Sequence, residues 1–219
     1  MVKKVNLLAG STGFLGNEIL KVIGVQGIPT LALSRRPIVN LPSCADELII
    51  DFNAISELEI QNINHLYLSL GYPLYFHNVM GFMSKVLKED LFLVDFTYQL
   101  EIAKKAKEAG AQGISLISAV GSNSHSRNHY LKTKGMLESE IMELDFESIN
   151  IYQPGHLRGN KSRPDILFAD AISIFVDPFM FGSLSKFRSI SAKKLAEVVA
   201  SNSLNQKKGI NYYTYSDFI

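Results

Sequence analysis

Three glycines at three-residue spacing, Gly10, Gly13 and Gly16, constrain the fold of this chain more than any other feature. They separate the apolar run 5–9 from the stretch 14–24, whose apolar residues recur at helical spacing. A strand, a glycine turn and a helix in this order bring backbone amides close to an anion, which the unpaired N–H groups of the helix start attract. The sequence therefore predicts a parallel α/β unit with an anion-binding loop. A glycine turn that binds nothing is the alternative.

Short aliphatic runs alternate with helical patterns along most of the chain. The runs lack polar alternation, which is typical of strands buried on both faces of a parallel sheet. This alternation predicts a doubly wound α/β fold of the Rossmann type, with residues 1–219 in a single domain. The predicted strands are 5–9, 29–34, 47–51, 65–71, 113–118 and 148–153, and the later helices are 85–109, 129–144 and 191–201.

The segment 155–190 breaks this rhythm. It is rich in aromatic and aliphatic residues, and Pro178 and Gly182 interrupt it. We expect it to form a small C-terminal lid or substrate-side segment. A subunit contact and plain core packing are the alternatives that its composition leaves open.

Composition argues against several classes of protein. Of 219 residues, 47% are hydrophobic and 20% are charged, and the net charge is +1 without a long basic block. A nucleic-acid partner is therefore not expected. The single cysteine, Cys44, cannot form an internal disulfide, and no Cys/His cluster has metal-binding spacing, so no metal site is expected.

Targeting signals are also weak. The apolar run after the N-terminal lysines is shorter than the ~7–15 apolar residues of a signal peptide. The longest apolar stretch, near 67–83, contains Pro73, His77 and Asn78 and falls short of the ~20 apolar residues of a membrane span. We expect a cytoplasmic protein without membrane contact.

The glycine loop stands where dinucleotide-binding domains hold a pyrophosphate. The second predicted strand ends in Ser34, Arg35 and Arg36 without a carboxylate, and guanidinium groups pair well with a 2′-phosphate. NADP(H) is therefore favoured over NAD(H), with a solvated basic turn as the alternative. The loop residues expected to contact the cofactor are Gly10, Ser11, Thr12, Gly13, Phe14, Leu15 and Gly16.

The end of the third predicted strand offers a second cofactor contact. Asp51 and Phe52 lie where an adenine ring would be bound, and Asp51 could accept a hydrogen bond from the adenine amine. The alternative role for Asp51 is an acidic cap on the helical turn that follows.

Tyr130 and Lys134 lie four residues apart, so on a helix they share one face. Moving the pKa of a phenol from ~10 toward ~7 requires a preference for the phenolate of roughly 4 kcal/mol. One ammonium ~4 Å away supplies about that much at an effective dielectric constant of ~20. We therefore expect Lys134 to lower the pKa of Tyr130, with a pair that merely shares a surface as the alternative. Twelve residues before Tyr130, Ser118 ends the fifth predicted strand.

Together these segments resemble the short-chain dehydrogenase/reductase superfamily, and within it the small atypical members related to the Tat-interactive oxidoreductase. The resemblance extends from about residue 4 to about residue 200. Its motifs follow the order of that family and read GSTGFLG, LSRRP, LSLG, VDFTYQLEIAKKAKEAG, LISAVGSNSHSRNHYLKTKGMLESEI and INIYQPGHLRG.

The resemblance implies an NADPH-binding Rossmann-type domain with a catalytic group of three residues. By motif position, Ser118 would polarise a substrate carbonyl and Tyr130 would transfer the proton. Lys134 would bind the hydroxyls of the nicotinamide ribose and lower the pKa of the tyrosine. Tyr130 and Lys134 would thus also contact the cofactor.

Two further pairs of residues are implied by the same resemblance. Pro154 and Gly155 would back the nicotinamide, and Leu70 and Gly71 would pass beneath the ribose and phosphates of the cofactor. Many catalytic members also carry an asparagine on the helix after the fourth strand. This chain has Asp95 and Thr97 on that helix, so a proton relay through asparagine is not carried over.

The expected function is that of an oxidoreductase that transfers a hydride to or from a small carbonyl or alcohol, whose identity stays open. One alternative is a non-catalytic NADP(H)-binding protein that signals cofactor occupancy to a partner. Another is an activity like that of sugar-nucleotide epimerases. A protein partner and a homodimer both stay open.

Overall fold

A computed structural model describes residues 4–160 and 163–219 of the chain. Residues 161 and 162 of the predicted lid segment lie outside this description, as do residues 1–3 ahead of the first predicted strand. The strands are β1 (Val5–Ala9), β2 (Thr30–Ser34), β3 (Ala45–Ile49), β4 (Ile63–Leu68), β5 (Gly113–Ile117), β6 (Ser148–Tyr152), β7 (Leu157–Arg158), β8 (Ile190–Ser191) and β9 (Gly209–Tyr213).

Seven of these strands form one sheet in the order β3-β2-β1-β4-β5-β6-β9. Every neighbouring pair in this sheet is parallel, so the carboxyl ends of all seven strands lie at one edge. The chain winds outward from β1 in both directions, which is the doubly wound arrangement. The predicted fold class is therefore confirmed. The strands β7 and β8 form a separate two-stranded parallel sheet.

Helices cover both faces of the large sheet. They are α1 (Phe14–Val25), α2 (Phe76–Val79), α3 (Lys85–Phe92), α4 (Tyr98–Glu108), α5 (His129–Met142), α6 (Pro164–Val176) and α7 (Ala192–Asn205). One core cluster joins the sheet to α4 and α5, and the other joins it to α1 and α7. Neighbouring residues of β1 point into different clusters, Leu7 into the first and Leu8 into the second, as the alternation of a strand requires.

Local signals fix where three of these helices begin. Ser84, Asn128 and Ser191 stand at the N-caps of α3, α5 and α7, and each side chain accepts a hydrogen bond from a backbone amide in the first turn. The cap at Asn128 sets the start of the helix that carries the predicted tyrosine and lysine.

The predicted helix 85–109 is continuous in space but not uniform. A π-helical turn, Leu93–Thr97, separates α3 from α4. Such turns insert one residue into the helix and often occur at functional sites. The buried residue in this turn is Asp95, whose direction therefore depends on the irregularity. The apolar periodicity predicted the helix and missed the turn.

The strand predictions need several corrections. The fourth strand is Ile63–Leu68 rather than 65–71, and the short strands β7 and β8 were not predicted. The third strand is Ala45–Ile49 rather than 47–51, because the chain leaves the sheet before Asp51 and enters the 3₁₀ helix Phe52–Glu57. The edge strand of the large sheet, β9, was not predicted at all. Only Asn211 of its five residues is buried, so this edge strand lacks the apolar run that identified the others.

The segment 164–187 consists of α6 and two 3₁₀ turns and has an unusual distribution of side chains. Phe168, Phe175 and Phe179 are exposed by 70%, 74% and 78%. The single buried residue of α6 is Ser173. Core packing, one of the alternatives for this segment, is therefore excluded for α6. No helix in the part of the chain that the structure describes is long and apolar enough to cross a membrane.

Candidate active site

The glycine loop forms a tight junction between β1, α1 and the end of β4. Gly10 has a φ of +94°, and a Cβ there would lie 2.7 Å from the carbonyl group of Ser69 and 2.8 Å from the amide nitrogen of Leu70. A Cβ on Gly16 would lie 2.0 Å from the carbonyl oxygen of Gly10. Side chains at these two positions would separate the three elements. We call residues 10–16 the glycine cradle.

At the start of α1, no capping side chain or carboxylate occupies the backbone amides that the cradle presents. Gly13 is the N-cap and supplies no side-chain cap, and the first turn contains no acidic residue. The amides of a first turn have no intrahelical partner and carry partial positive charge. Thr12 is exposed, whereas the Ser11 hydroxyl donates to the carbonyl oxygen of Leu33 at 3.0 Å. The Ser11 hydroxyl, one of the loop groups expected to contact the cofactor, therefore ties the cradle to β2.

The turn after β2 is held by a carboxylate of the neighbouring strand, which was not predicted as a site residue. Glu47 of β3 accepts a hydrogen bond from the Ser34 hydroxyl at 3.1 Å and from the Ile38 amide at 2.6 Å. Arg35 and Arg36 between these contacts are exposed. The predicted absence of a carboxylate holds for the turn itself, but β3 brings one beside it because β2 and β3 pair in parallel register.

The predicted adenine position has the geometry of a cap. The Asp51 carboxylate accepts from the backbone amide of Asn53 at 2.9 Å and caps the 3₁₀ helix that follows, as one of the two readings expected. Phe52 is buried, and the guanidinium carbon of Arg35 lies 5.9 Å from its ring centroid. Arg35 and Phe52 therefore form one cation–π contact between the second and third strand ends.

Lys134 lies in a buried ion pair on α5. Its Nζ is 2.8 Å from Oδ1 of Asp95, and the exposed fractions of the two side chains are 6% and 2%. The other carboxylate oxygen of Asp95 accepts from the Tyr72 amide at 2.6 Å. Burial alone lowers the pKa of Lys134, but Asp95, Tyr130 and Glu138 together raise it above its ordinary value. Lys134 is therefore a fixed cation, and its counter-charge is the Asp95 carboxylate in the π-helical turn.

The pKa of Tyr130 depends on the same two residues, Lys134 and Asp95. Burial raises the pKa of Tyr130 above its ordinary value, Lys134 acts to lower it, and Asp95 acts to raise it. The net direction is opposite to the expected one. The expectation considered only the lysine and omitted both desolvation of the phenolate and the carboxylate beside the ammonium.

Ser118 directly follows β5, one residue beyond the strand end at Ile117 where 118 was predicted, and its hydroxyl is engaged. It donates to Glu138 of α5 and lies 2.9 Å from the hydroxyl of Ser122. Glu138 is buried, and the Gln153 amide donates to its two oxygens at 3.0 and 3.2 Å. In the described part of the chain, no hydrogen bond joins Ser118 to Tyr130. The serine instead belongs to a polar cluster with Glu138.

The remaining predicted contacts are distributed around this centre. Leu70 and Gly71 follow β4, and a Cβ on Gly71 would lie 3.9 Å from Oδ1 of Asp95, which places this loop beside the ion pair. Pro154 is buried, and its carbonyl oxygen accepts from the Val120 amide at 3.0 Å. A Cβ on Gly155 would lie 2.5 Å from the carbonyl oxygen of Phe187. One side of Gly155 therefore packs against the segment that follows β7.

The structure thus gathers the predicted residues along the carboxyl edge of the sheet and adds three carboxylates, Glu47, Asp95 and Glu138. A signal for two of them was present in the sequence. Glu138 lies four residues after Lys134, hence on the same helical face, and Glu47 lies on the strand expected beside the second. The direction of Asp95 had no such signal, since it depends on the π turn.

Comparison with solved structures identifies proteins that share this fold. The NADPH-bound form of an ElxO variant superposes with a TM-score of 0.70 at 12% identity, covering 96% of this chain and 96% of that one. MoeE5 in complex with UDP-glucose and NAD gives a TM-score of 0.70 at 13% identity, covering 98% of this chain and 79% of that one. Both likenesses show the doubly wound parallel α/β fold that the sequence predicted.

The family follows from sequence relatives. No protein-family model matches the chain. The protein named "Protein FMP52, mitochondrial" of Debaryomyces hansenii is 31% identical over 160 residues, which cover 71% of this chain and 68% of the relative. The chain belongs to the FMP52 family.

The predicted cytoplasmic location is wrong, because curated relatives of several yeasts are named as mitochondrial proteins. The prediction relied on the lack of a secretory signal and of a membrane span. Neither feature distinguishes the cytoplasm from a mitochondrial compartment.

Proposed function

We propose that the chain is an NADP(H)-dependent oxidoreductase that acts on a small carbonyl or alcohol. The glycine cradle carries this proposal. Gly10 and Gly16 leave no room for a Cβ, and α1 begins there without a capping side chain or a first-turn carboxylate. A backbone arrangement of this kind suits the pyrophosphate of a dinucleotide.

The residues around the cradle fit the rest of such a cofactor. Arg35 and Arg36 are exposed beside the turn that Glu47 orders, and they would pair with a 2′-phosphate. Glu47 accepts two hydrogen bonds at one oxygen, Oε1, and these bonds hold its carboxylate against the turn. This arrangement supports NADP(H) over NAD(H). When bound, the nicotinamide would donate or accept the hydride.

The protein groups would handle the proton. The raised pKa of Tyr130 keeps its phenol protonated at neutral pH, so its Oη holds the proton that a developing alkoxide needs. Lys134 stays charged beside Asp95, and it would stabilise negative charge on the phenol oxygen once the proton has left. These two features favour carbonyl reduction as the forward direction. Ser118 would position the substrate oxygen after exchanging its bond to Glu138.

Turnover by the Tyr130→Phe variant tests the catalytic part of the proposal. We expect NADPH oxidation with at least one member of a panel of small aldehydes and ketones, and a loss of about 100-fold or more in the variant. The Tyr212→Phe variant is the matched control, because the Tyr212 hydroxyl lies at an exposed contact, 3.6 Å from the Met142 sulfur. Equal turnover by wild type and Tyr130→Phe would remove the phenol from the mechanism.

A non-catalytic NADP(H)-binding protein is the second candidate, and one observation favours it. Both groups expected to assist the tyrosine are already engaged, Lys134 by Asp95 and Ser118 by Glu138. Limited proteolysis with and without NADPH distinguishes this candidate. It predicts cofactor-dependent protection of the exposed segment 164–187 and no turnover on any carbonyl, whereas unchanged cleavage would exclude it.

A further inference from the structure

A cavity of about 300 Å³ lies beyond the glycine cradle, near the ends of β6 and β9. Arg158 of β7, Arg188 just before β8 and Tyr215 just after β9 form part of its wall. Ser173 and Ser189 line it as well. The carboxyl edge of an open parallel sheet is where ligands of α/β proteins bind. None of these residues was predicted individually as a site residue, although all but Tyr215 lie in the predicted lid or substrate-side segment 155–190.

Two aromatic rings hold the guanidinium group of Arg188 in place, but among the described residues one of its N–H groups has no acceptor. Its guanidinium carbon lies 5.6 Å from the ring centroid of Phe181 and 5.7 Å from that of Tyr215. These two rings fix the guanidinium group in position. Its Nε is buried and has no hydrogen-bond partner among the residues that the structure describes. A buried N–H without an acceptor is unfavourable, so an acceptor from a ligand would be bound with little competition.

Arg158 adds a second cation to the same cavity. It is half-buried, and in the described part of the chain it makes neither an ion pair nor a side-chain hydrogen bond. The one carboxylate in the wall, Asp177, already accepts from the amide of Ser189 at 3.1 Å and from the Ser189 hydroxyl. Two guanidinium groups therefore face a cavity with one carboxylate in its wall, and both hydrogen bonds to that carboxylate come from Ser189 of the same wall.

The cavity adjoins the predicted nicotinamide wall. A Cβ on Gly155 would lie 2.7 Å from the carbonyl oxygen of Arg188, so the backbone of Arg188 packs directly against Gly155. Gly155 is the residue that we expect to back the nicotinamide. A substrate with one end in this cavity would thus extend toward the ring, a consequence that rests on the proposed function.

We infer that this cavity binds an oxyanion of the substrate, either a carboxylate or a phosphate group, through Arg158 and Arg188. Planar guanidinium groups donate paired, charge-assisted hydrogen bonds to both kinds of oxyanion. The substrate class narrows accordingly, from any small carbonyl or alcohol to one with a negatively charged group.

Calorimetric titration with inorganic phosphate and with acetate tests this inference on the whole chain. We expect one of the two anions to bind, and the tighter one identifies the oxyanion class. Arg158→Gln and Arg188→Gln should each weaken binding by about tenfold or more. Lys186→Gln removes the same charge from an exposed position two residues before Arg188 and should change binding by less than about twofold. Arg158→Gln removes no ion pair or side-chain hydrogen bond within the described part of the chain, and its unfolding temperature should equal that of wild type.

A second titration in the presence of saturating NADPH separates this site from the glycine cradle, which can also attract phosphate. We expect anion binding to persist with NADPH bound. Competition between the anion and NADPH, binding that survives both arginine substitutions, or no binding of either anion would overturn the inference. If NADPH itself does not bind, the proposed function fails, while the arginine variants still decide whether the anion site exists.

Discussion

Residues 10–16 and residues 164–187 both border the carboxyl edge of the sheet, and they distribute polar and apolar groups in opposite ways. The glycine cradle buries backbone against backbone and presents free amides outward. The segment 164–187 turns its carboxylates toward the protein, where Asp170 contacts His156 and the Gly159 amide. Its phenylalanines face outward instead.

The difference shows which parts of the edge are determined locally. The cradle is fixed by residues that lack side chains, so its geometry follows from a short stretch of sequence. The segment is held by single hydrogen bonds to distant residues, so its geometry follows from the tertiary fold. Substitutions in the cradle should therefore be costly, and substitutions on the outer face of the segment should not.

The largest effect is expected at the ion pair beside the cradle. Asp95→Asn leaves the buried Lys134 without its counter-charge and should reduce the free energy of unfolding by about 3 kcal/mol. Glu101→Gln is the matched control on α4, because it breaks a 2.8 Å pair with Lys104 that is largely exposed. The control should cost less than about 0.5 kcal/mol. Denaturant unfolding measures both, and equal losses would mean that the buried pair has no special role.

Adding a methyl group at Gly10 tests how tightly the cradle is packed. Gly10→Ala combines a left-handed φ with a backbone collision and should cost at least ~2 kcal/mol more than Gly27→Ala. Gly27 has a φ of +65° with no atom within 4 Å of its added Cβ, so it isolates the cost of the backbone conformation. Thermal and denaturant unfolding of the two variants give the comparison. Equal stabilities would show that the cradle is loose.

A pH titration of stability probes the dry interior beneath the cradle. Burial lowers the pKa of His65 in β4 to about 3 from an ordinary value of 6.5. Between these values the unfolded chain binds a proton that the folded chain does not, so stability falls as the pH decreases below 6.5. From pH 7 to pH 5 the loss due to His65 should be about 2 kcal/mol.

The His65→Gln variant supplies the reference for this titration, since the other histidines contribute equally to both proteins. Its stability should change less between pH 7 and pH 5 than that of wild type. Parallel pH dependence of the two proteins would mean that His65 is hydrated or protonated in the folded chain.

The smallest effect is expected on the outer face of the segment. Phe175→Ser should change the free energy of unfolding by less than about 0.5 kcal/mol, because the side chain is 74% exposed. Asp170→Asn in the same helix weakens the 2.6 Å contact with His156 and should cost about 1 kcal/mol. A larger loss for Phe175→Ser than for Asp170→Asn would reverse the polarity that we assign to this helix.

The sequence predicted the sheet and most of the candidate site because these depend on short-range patterns. Buried strands such as β5 and β6 are continuous apolar runs, and the spacing of Tyr130 and Lys134 set their common face. It did not predict β9, whose exposed residues carry no such pattern. Asp95 was noticed as a departure from the family motif, but its contact with Lys134 depends on a π turn that periodicity does not encode.

Calorimetric titration of NADPH and NADH into the folded protein tests the central claim most directly. If the amides of the first helix turn hold a dinucleotide pyrophosphate, both cofactors should release or absorb heat, with NADPH the tighter. The Arg36→Gln variant should then lose about tenfold in affinity for NADPH and little for NADH. No heat with either dinucleotide, from protein whose unfolding transition is intact, would contradict the claim.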